Sequence, residues 1–405
     1  MSKKPQKTRQ KLEKYTTEGV KVDKFIPGGQ AICTLPDGKK AMLWNALPGE
    51  NIIEIKVTKH KSHYLEGFSS IITDPSPHRI QPQDKCYLAT SPWQIMDYDY
   101  ELTQKREILA EIFRQHNVKI PDIPFVKTDG NSLFYRNKME YSLYYSHEDA
   151  QIHLAFHERG THRKDPISGS SLERLEIFEY AQQIVSELNA NKSDARQFQS
   201  LLLRCNQSGE VSGGLLKKHQ PHPNFTPLQD RLLGYEYSYS PNGFFQINLP
   251  VYEMALREMQ TYIHTTKVLD LYAGVGTIGL CIARDKELTL VECDHSAYRE
   301  MQNNCQDVPN ATPIFAKSEE ALEYIQPDQT VILDPPRAGC HSQLLDKLLT
   351  VCPPVIIYLS CNPATQARDT KILTEKYRVA AVAPFNFFPR TPHLENLLVL
   401  ERNRL

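Results

Sequence analysis

The hydrophobic pattern changes texture twice along the 405 residues. Apolar and polar positions first alternate with period two in short runs at 18–23, 30–35, 40–44 and 51–57, separated by Pro27-Gly28-Gly29, Pro36-Asp37-Gly38 and Pro48-Gly49. Alternation marks half-buried strands, and Pro/Gly clusters mark turns. Strands at this spacing predict a small OB-like barrel over 13–72, an architecture that commonly binds single-stranded nucleic acid. Residues 1–12 are polar, basic and aperiodic, which reads as a disordered tail. A linker with Pro75, Pro77 and Pro82 follows, and helical spacing returns over 101–115. Residues 125–245 mix apolar strand-like runs at 135–141, 152–156 and 200–204 with a helix near 170–189, so 73–245 is read as a linker and a β-rich α+β central domain.

From Lys267 the texture changes again. Apolar runs at 268–272, 289–292, 313–315, 330–334 and 355–359 alternate with helical patterns. Strand–helix alternation of this kind predicts an α/β, doubly wound parallel sheet with helices on both faces, here over 246–405. Ligands of such sheets bind beyond the carboxyl ends of the strands, and the chemically suggestive residues fall at those ends.

Composition narrows the class. The chain is 40% hydrophobic and 23% charged, within the range of ordinary globular proteins. Its longest apolar runs, such as 354–359, fall far short of the roughly 20 residues of a membrane span. Met1-Ser2-Lys3-Lys4 is followed by no apolar segment, so no secretory signal is expected. Nine scattered Cys in a chain of this size do not read as a disulfide framework, and a reducing, cytoplasmic compartment is expected. The net charge of −1 hides an asymmetry: residues 1–80 hold 14 Lys and Arg against 8 Asp and Glu, +6, and the remainder carries −7. A basic N-terminal piece suits a nucleic-acid partner; the alternative is a solvated tail.

Asp270-Leu-Tyr-Ala-Gly274-Val-Gly276-Thr-Ile-Gly279 follows one predicted strand and opens a helix, and Glu292 closes the next strand. Glycines let a backbone approach a ligand, and an acid at the following strand end can hold ribose hydroxyls. A dinucleotide or S-adenosylmethionine fits this pattern. Leu333-Asp334-Pro-Pro-Arg337 favours the second. Two prolines cannot continue a ladder; they stiffen a loop at the mouth of the sheet and aim the Asp334 carboxylate, as a methyltransferase holding a flat base beside a sulfonium methyl would need. The fifth strand ends Ser360-Cys361-Asn362-Pro363, placing a thiol beside a helix N-terminus. Glu395 enters a late apolar strand. A nucleophilic thiol paired with a carboxylate base suits methylation at pyrimidine C5, where thiolate addition at C6 makes C5 nucleophilic and a base later removes the C5 proton. Cys361 is thus the candidate nucleophile and Glu395 the candidate base, while nearby His393 reads as a structural hydrogen-bonder.

These blocks, with Tyr135-Arg-Asn-Lys-Met-Glu140, Phe244-Phe-Gln246-Ile-Asn248 and Phe388-Pro-Arg-Thr-Pro-His-Leu-Glu395, together resemble the bacterial RNA (uracil-C5-)-methyltransferase family, in the branch bearing an N-terminal TRAM barrel. The resemblance runs over nearly the whole chain. It implies a Rossmann-like class I methyltransferase domain, S-adenosylmethionine contacts at Gln246, Tyr272, Thr277, Glu292 and Asp334, and the catalytic roles given above for Cys361 and Glu395. It implies an aromatic, Phe244 or Phe245, that stacks on a flipped uracil. Arg136 and Lys138 are carried over as substrate contacts. Structured RNA is the implied substrate, 23S rRNA favoured and tRNA the alternative, with a monomer expected. Two departures stand out. Cys86 is followed by Tyr-Leu-Ala-Thr-Ser-Pro-Trp where many relatives have a Cys-rich block, and one thiol cannot hold a four-iron cluster, so none is expected. Asn386 and Arg390 stand where Asp and Gln are usual. Competing readings are an RNA-binding module with a decayed site, a nicotinamide oxidoreductase using the glycine loop, and a cytosine-C5 enzyme, which would carry Cys after the proline of the Asp334 loop.

Overall fold

The computed structural model describes residues 13–403, so the tail expected at 1–12 lies outside the described residues. Two compact units divide the chain. Among the described residues, the first comprises 13–104, 158–162 and 390–392, and the second comprises 105–157, 163–389 and 393–403.

In the first unit, β1 (Glu13–Phe25), β2 (Ala31–Thr34), β3 (Lys40–Trp44), β4 (Asn51–His60) and β5 (Tyr64–Asp74) close into a barrel in the order β1-β2-β3-β5-β4. The alternation read from the sequence becomes an inward row of Val20, Val22, Ala31, Cys33, Ala41, Leu43, Ile52, Ile55 and Leu65. Turn chemistry sets the corners: Gly28, Gly29, Gly38 and Gly49 all have positive φ. At Gly29 the demand is also steric, since a Cβ there would come within 2.1 Å of the Pro392 ring. The unit continues through α1 (Tyr87–Thr90) into the first turns of α2 (Tyr98–Gln115).

In the second unit, β6 (Lys138–Ser146), β7 (Gln151–His157), β8 (Lys164–Pro166), α3 (Leu175–Ala190), β9 (Phe198–Cys205) and β10 (Val211–Lys217) build an antiparallel sheet of order β10-β9-β6-β7-β8. The apolar face of α3 (Ile177, Ala181, Val185, Leu188) shares a core with Tyr141, Leu154, Leu201 and Leu203 of that sheet. A hairpin of β11 (Leu228–Leu232) and β12 (Tyr235–Tyr239) leads to α4 (Leu249–Gln260).

The last layer alternates as the sequence predicts: β13 (Lys267–Leu271), α5 (Thr277–Ile282), β14 (Glu287–Glu292), α6 (His295–Asn304), β15 (Ala311–Phe315), β16 (Gln329–Leu333), α7 (Ser342–Val351), β17 (Val355–Ser360), α8 (Pro363–Leu373), β18 (Tyr377–Phe385) and β19 (Glu395–Arg402). The sheet order is β15-β14-β13-β16-β17-β19-β18. Strands β15 through β17 are parallel, and β19 inserts antiparallel between β17 and β18. That last hairpin turns the start of β19 toward the carboxyl ends of its neighbours, where the site lies. Among the described residues no helix is long and apolar enough to cross a membrane.

Candidate active site

The site assembles at the carboxyl edge of the seven-stranded sheet. Strand β13 delivers Asp270 and then turns through Tyr272, Gly274 and Gly276, all at positive φ, into α5. Two glycines serve the packing. A Cβ on Gly279 would lie 2.9 Å from Asp270 Oδ2, the oxygen that accepts the Gly279 N–H at 2.8 Å. A Cβ on Gly276 would press on Leu280, Met301 and Leu290. Gly274 differs: a Cβ there meets nothing within 4 Å, so its backbone borders open space.

Glu292, at the end of β14, is tied into this loop. Its Oε2 accepts the Gly274 N–H at 2.9 Å, and its Oε1 accepts those of Cys293 and Asp294 at 2.7 and 2.6 Å. An ionised carboxylate has about four acceptor positions, so capacity remains for hydroxyls beyond the loop. Asp270 is buried, with Oδ1 lacking a hydrogen-bond partner among the described residues; burial, reinforced by the charges of Asp334 and Glu292, pushes its carboxyl up to about 8. Thr277 opens α5 and is buried, while Tyr272 is half-buried.

Cys361 and Glu395 meet through strand register. In the antiparallel β17–β19 pair Ser360 lies opposite Asn396. Cys361 follows this last pair on one strand and Glu395 precedes it on the other, and the Glu395 carboxylate is near enough to raise the Cys361 thiol. Two groups of hydrogen bonds hold this end of the sheet. Gln366 on α8 donates to Tyr358 O and Asn396 O at 2.8 and 2.9 Å, and Asn396 donates back to Gln366 Oε1 at 2.7 Å. Asn362, the N-cap of α8, donates from its amide to Arg337 O at 2.8 Å, joined there by Thr365 Oγ1 at 3.2 Å. The Asp334-Pro-Pro-Arg337 loop is thereby fastened to the thiol's own loop.

The electrostatics of the pair are unfavourable to charge at rest. Burial, then the charges of Glu395 and Asp334, push the Cys361 thiol up to about 11, while Arg337 pulls it down. Burial pushes Asp334 up to about 7. Glu395 is only 4% exposed and is held well above the usual carboxylate range by burial and by Asp334, again opposed by Arg337. Three acidic groups thus share one desolvated corner with one guanidinium.

The segment before β19 is braced from helix α2. The buried ammonium of Lys105 donates to Asn386 Oδ1 at 2.6 Å and to Phe388 O at 3.1 Å, and Asn248 donates to Phe387 O at 3.3 Å. Within the first unit, Arg390 N–H reaches both Glu101 oxygens at 3.1 and 3.0 Å, and its guanidinium donates to Met96 O at 2.9 Å. The two departures at 386 and 390 therefore each have a matched partner one helical turn apart on α2. Sequence reading missed Lys105 and Glu101, and no local pattern marks either.

The aromatic pair separates. Phe244 is 71% exposed, whereas Phe245 is 4% exposed and stacked on Tyr239 with ring centroids 3.9 Å apart. Phe245 is thus a core residue, and its expected role at a base is corrected: its faces are already occupied. Lys138 also departs from expectation. Its ammonium donates to Gly243 O at 3.1 Å and Asn242 O at 3.5 Å, and burial followed by the neighbouring Arg204 charge brings it down to about 8. It is tied to the backbone of the loop that carries Phe244. Arg204, buried in β9, donates to Gly243 O and Phe245 O and lies over the Tyr239 ring. A charge directly after the apolar run 201–203, inside the same strand, is the sequence signal that could have marked it. Asn137 donates to Gln246 O at 3.1 Å, fixing the buried Gln246 backbone. Arg136 is half-buried, and its Nε lacks a partner among the described residues. His393 is exposed, edge-on to Phe388.

Comparison with known proteins agrees with this architecture. The family described as tRNA (Uracil-5-)-methyltransferase matches residues 322–403, the stretch holding Asp334, Cys361 and Glu395. The chain is 26% identical to the 23S rRNA (uracil(1939)-C(5))-methyltransferase RlmD of Vibrio parahaemolyticus, over 95% of this chain and 96% of that one. It is 26% identical to the tRNA (uracil(54)-C(5))-methyltransferase of Pyrococcus abyssi, over 86% and 92%. An uncharacterized RNA methyltransferase of Enterococcus faecalis is equally similar, over 88% and 91%. The crystal structure of the Pyrococcus abyssi enzyme with S-adenosyl-L-homocysteine shares the fold, with a TM-score of 0.75 at 24% identity over 94% of this chain and all of that one.

Proposed function

We propose that this chain, a member of the RNA (uracil-C5-)-methyltransferase family, converts a uridine of 23S rRNA to 5-methyluridine, with Cys361 as nucleophile and Glu395 as base. The observation that supports the reading is that the ends of β17 and β19 carry Cys361 and Glu395 just beyond their last paired residues, with Glu395 and Asp334 both acting on the thiol.

S-adenosylmethionine is the methyl donor of this reaction and supplies an electrophilic methyl on a sulfonium. The residues present suit it. Gly274 borders open space, Glu292 keeps acceptor capacity at the strand end for ribose hydroxyls, and Asp334 adds a carboxylate at the mouth of the sheet. Tyr272, Thr277 and Gln246 complete the proposed cofactor contacts.

The chain's own residues divide the remaining work. Cys361 loses its proton to solvent and its Sγ thiolate adds to C6 of the uracil; the C5–C6 π bond breaks, and its electrons pass to the C5–C4–O4 enolate, which gives C5 the density it needs to accept a methyl group. Arg337 offsets negative charge at the thiol. Once C5 is methylated, Glu395 takes the C5 proton, the C6–S bond breaks, and Cys361 is regenerated. A base inside an RNA stack cannot reach a thiol at a sheet edge, so the target must be extruded. Phe244, exposed on a loop held by Lys138 and Arg204, is the aromatic available to stack on it.

The near-complete overlap with the Vibrio rRNA enzyme favours 23S rRNA, and the Pyrococcus relative keeps tRNA as the second reading. The test is transfer of labelled methyl from S-adenosylmethionine to unmodified rRNA and tRNA, with nucleoside analysis. We expect 5-methyluridine in rRNA, no product from Cys361→Ala, and a gel-retarded RNA adduct from Glu395→Gln. Product only in tRNA selects the second reading. Full activity of Cys361→Ala overturns the nucleophile.

A further inference from the structure

A cleft of about 620 Å³ opens on the five-stranded sheet, lined by Tyr144 and Tyr145 of β6, Lys164 of β8, Lys192 to Arg196 before β9, and Lys218 after β10. Four cations face one carboxylate, Asp194, which already chelates Arg196 through bonds of 2.9 Å to each oxygen. Lys164, Lys192 and Lys218 come from three separate elements, so their convergence is a product of the fold. Lys164 is anchored by donating to Leu143 O at 3.1 Å, and burial with the nearby Lys218 charge makes its ammonium easier to deprotonate. Lys192 is held at a φ of 50° just past α3. Like charges gathered in this way raise the energy of the protein alone, and an anion relieves it. Tyr145, 41% exposed at the rim, offers a ring face alongside.

We propose that this cleft binds the phosphodiester backbone of a single-stranded stretch of the RNA substrate, with phosphates on Lys164, Lys192 and Lys218 and a base against Tyr145. The occupant follows from the proposed function, on which the inference rests: an RNA substrate brings regularly spaced phosphates and stackable bases, the combination that single-strand sites accept through cations and aromatic rings. The volume exceeds what one phosphate needs, and the open shape suits a strand that runs through.

The test is anisotropy of a fluorescein-labelled 20-nucleotide oligouridylate titrated with full-length protein from 50 to 300 mM KCl. The variant combines Lys164→Gln, Lys192→Asn and Lys218→Gln; Asn tolerates the left-handed backbone at 192. A control removes the same charge elsewhere through Lys286→Gln, Lys347→Gln and Lys376→Gln. Each single-strand phosphate contact contributes roughly 0.7 to the slope of log affinity against log salt. The cleft variant should therefore lose about 2 from that slope and bind roughly tenfold or more weakly at 150 mM, with its melting temperature retained. An unchanged slope, or an equal loss in the control, overturns the proposal. Methyl transfer by the wild type is measured in parallel. If the wild type methylates no RNA while the cleft variant still loses its slope, the catalytic reading fails and the cleft stands; the converse result removes the cleft alone.

Discussion

At the scale of single residues, the chemistry turns on how one corner handles its protons. Cys361 is held up at about 11 first by burial, then by Glu395 and Asp334, with Arg337 and a backbone hydrogen bond opposing them. A thiol in that state is a poor nucleophile near neutral pH, since the thiolate is the reactive form. The free enzyme should thus alkylate slowly at Cys361, with a rate still climbing above pH 9. Glu395→Gln removes a negative neighbour and should shift that profile to lower pH. Arg337→Ala removes the opposing cation and should shift it upward. Iodoacetamide labelling read by mass spectrometry on the Cys361 peptide checks both signs, and equal profiles in all three proteins would show that the groups do not communicate. Legibility differs from residue to residue. Cys361 and Glu395 stand out as candidates in the sequence because prolines, strand ends and an isolated carboxylate are local signals. Phe244 and Phe245 could not be told apart, because only the ring of Tyr239, reached through tertiary packing, decides which of two neighbours is buried.

At the scale of elements, the proposed base depends on the hairpin that carries it. Strand β19 begins at Glu395, and the segment ahead of it has no regular structure from Asn386 to Leu394. Its backbone is instead held by side chains from afar, chiefly Lys105 of α2, which bridges Asn386 Oδ1 and Phe388 O across 281 and 283 residues. Separation on that scale is why helical periodicity over 101–115 revealed a helix and nothing of its task. Lys105→Met preserves the buried volume but removes the two hydrogen bonds that the ammonium donates to Asn386 Oδ1 and Phe388 O. Removing one partner of a buried hydrogen bond costs about 1–3 kcal/mol, so a stability loss on the order of 3 kcal/mol is expected in urea unfolding. If Lys105 positions the base, kcat should fall with little change in KM for S-adenosylmethionine, and the Glu395-dependent adduct should build up on slower release. A stability loss with unchanged kcat would mark Lys105 as purely structural. The contrast with the central strands β13, β16 and β17 is instructive: they are buried almost throughout, write themselves as largely apolar runs, and were legible for that reason.

At the scale of the whole molecule, the near-neutral balance of charge has a consequence for pH. A formal net charge of −1 leaves little overall self-repulsion at pH 7, so the response of stability to pH near neutrality falls to individual buried groups. Asp270 is the clearest, displaced from an ordinary 3.8 to about 8 by burial, and Asp334 follows at about 7. Both are raised in the folded state. Between about pH 4 and pH 8 the native protein therefore binds more protons than the unfolded chain, and stability falls as pH rises through that window. The same loop geometry explains why such a carboxylate is kept. Asp270 Oδ2 receives the Gly279 N–H and holds the glycine turn against β13. Asp270→Asn retains an acceptor oxygen for that bond and removes the titration. The variant should thus lose less melting temperature than the wild type when pH is raised from 5 to 8 in ligand-free protein. The two curves should converge at pH 4, where the wild-type carboxyl is protonated in the fold. Parallel curves across the whole range would mean that Asp270 is already ionised in the native state, and with it that the glycine loop is stabilised by charge instead of by a neutral hydrogen bond.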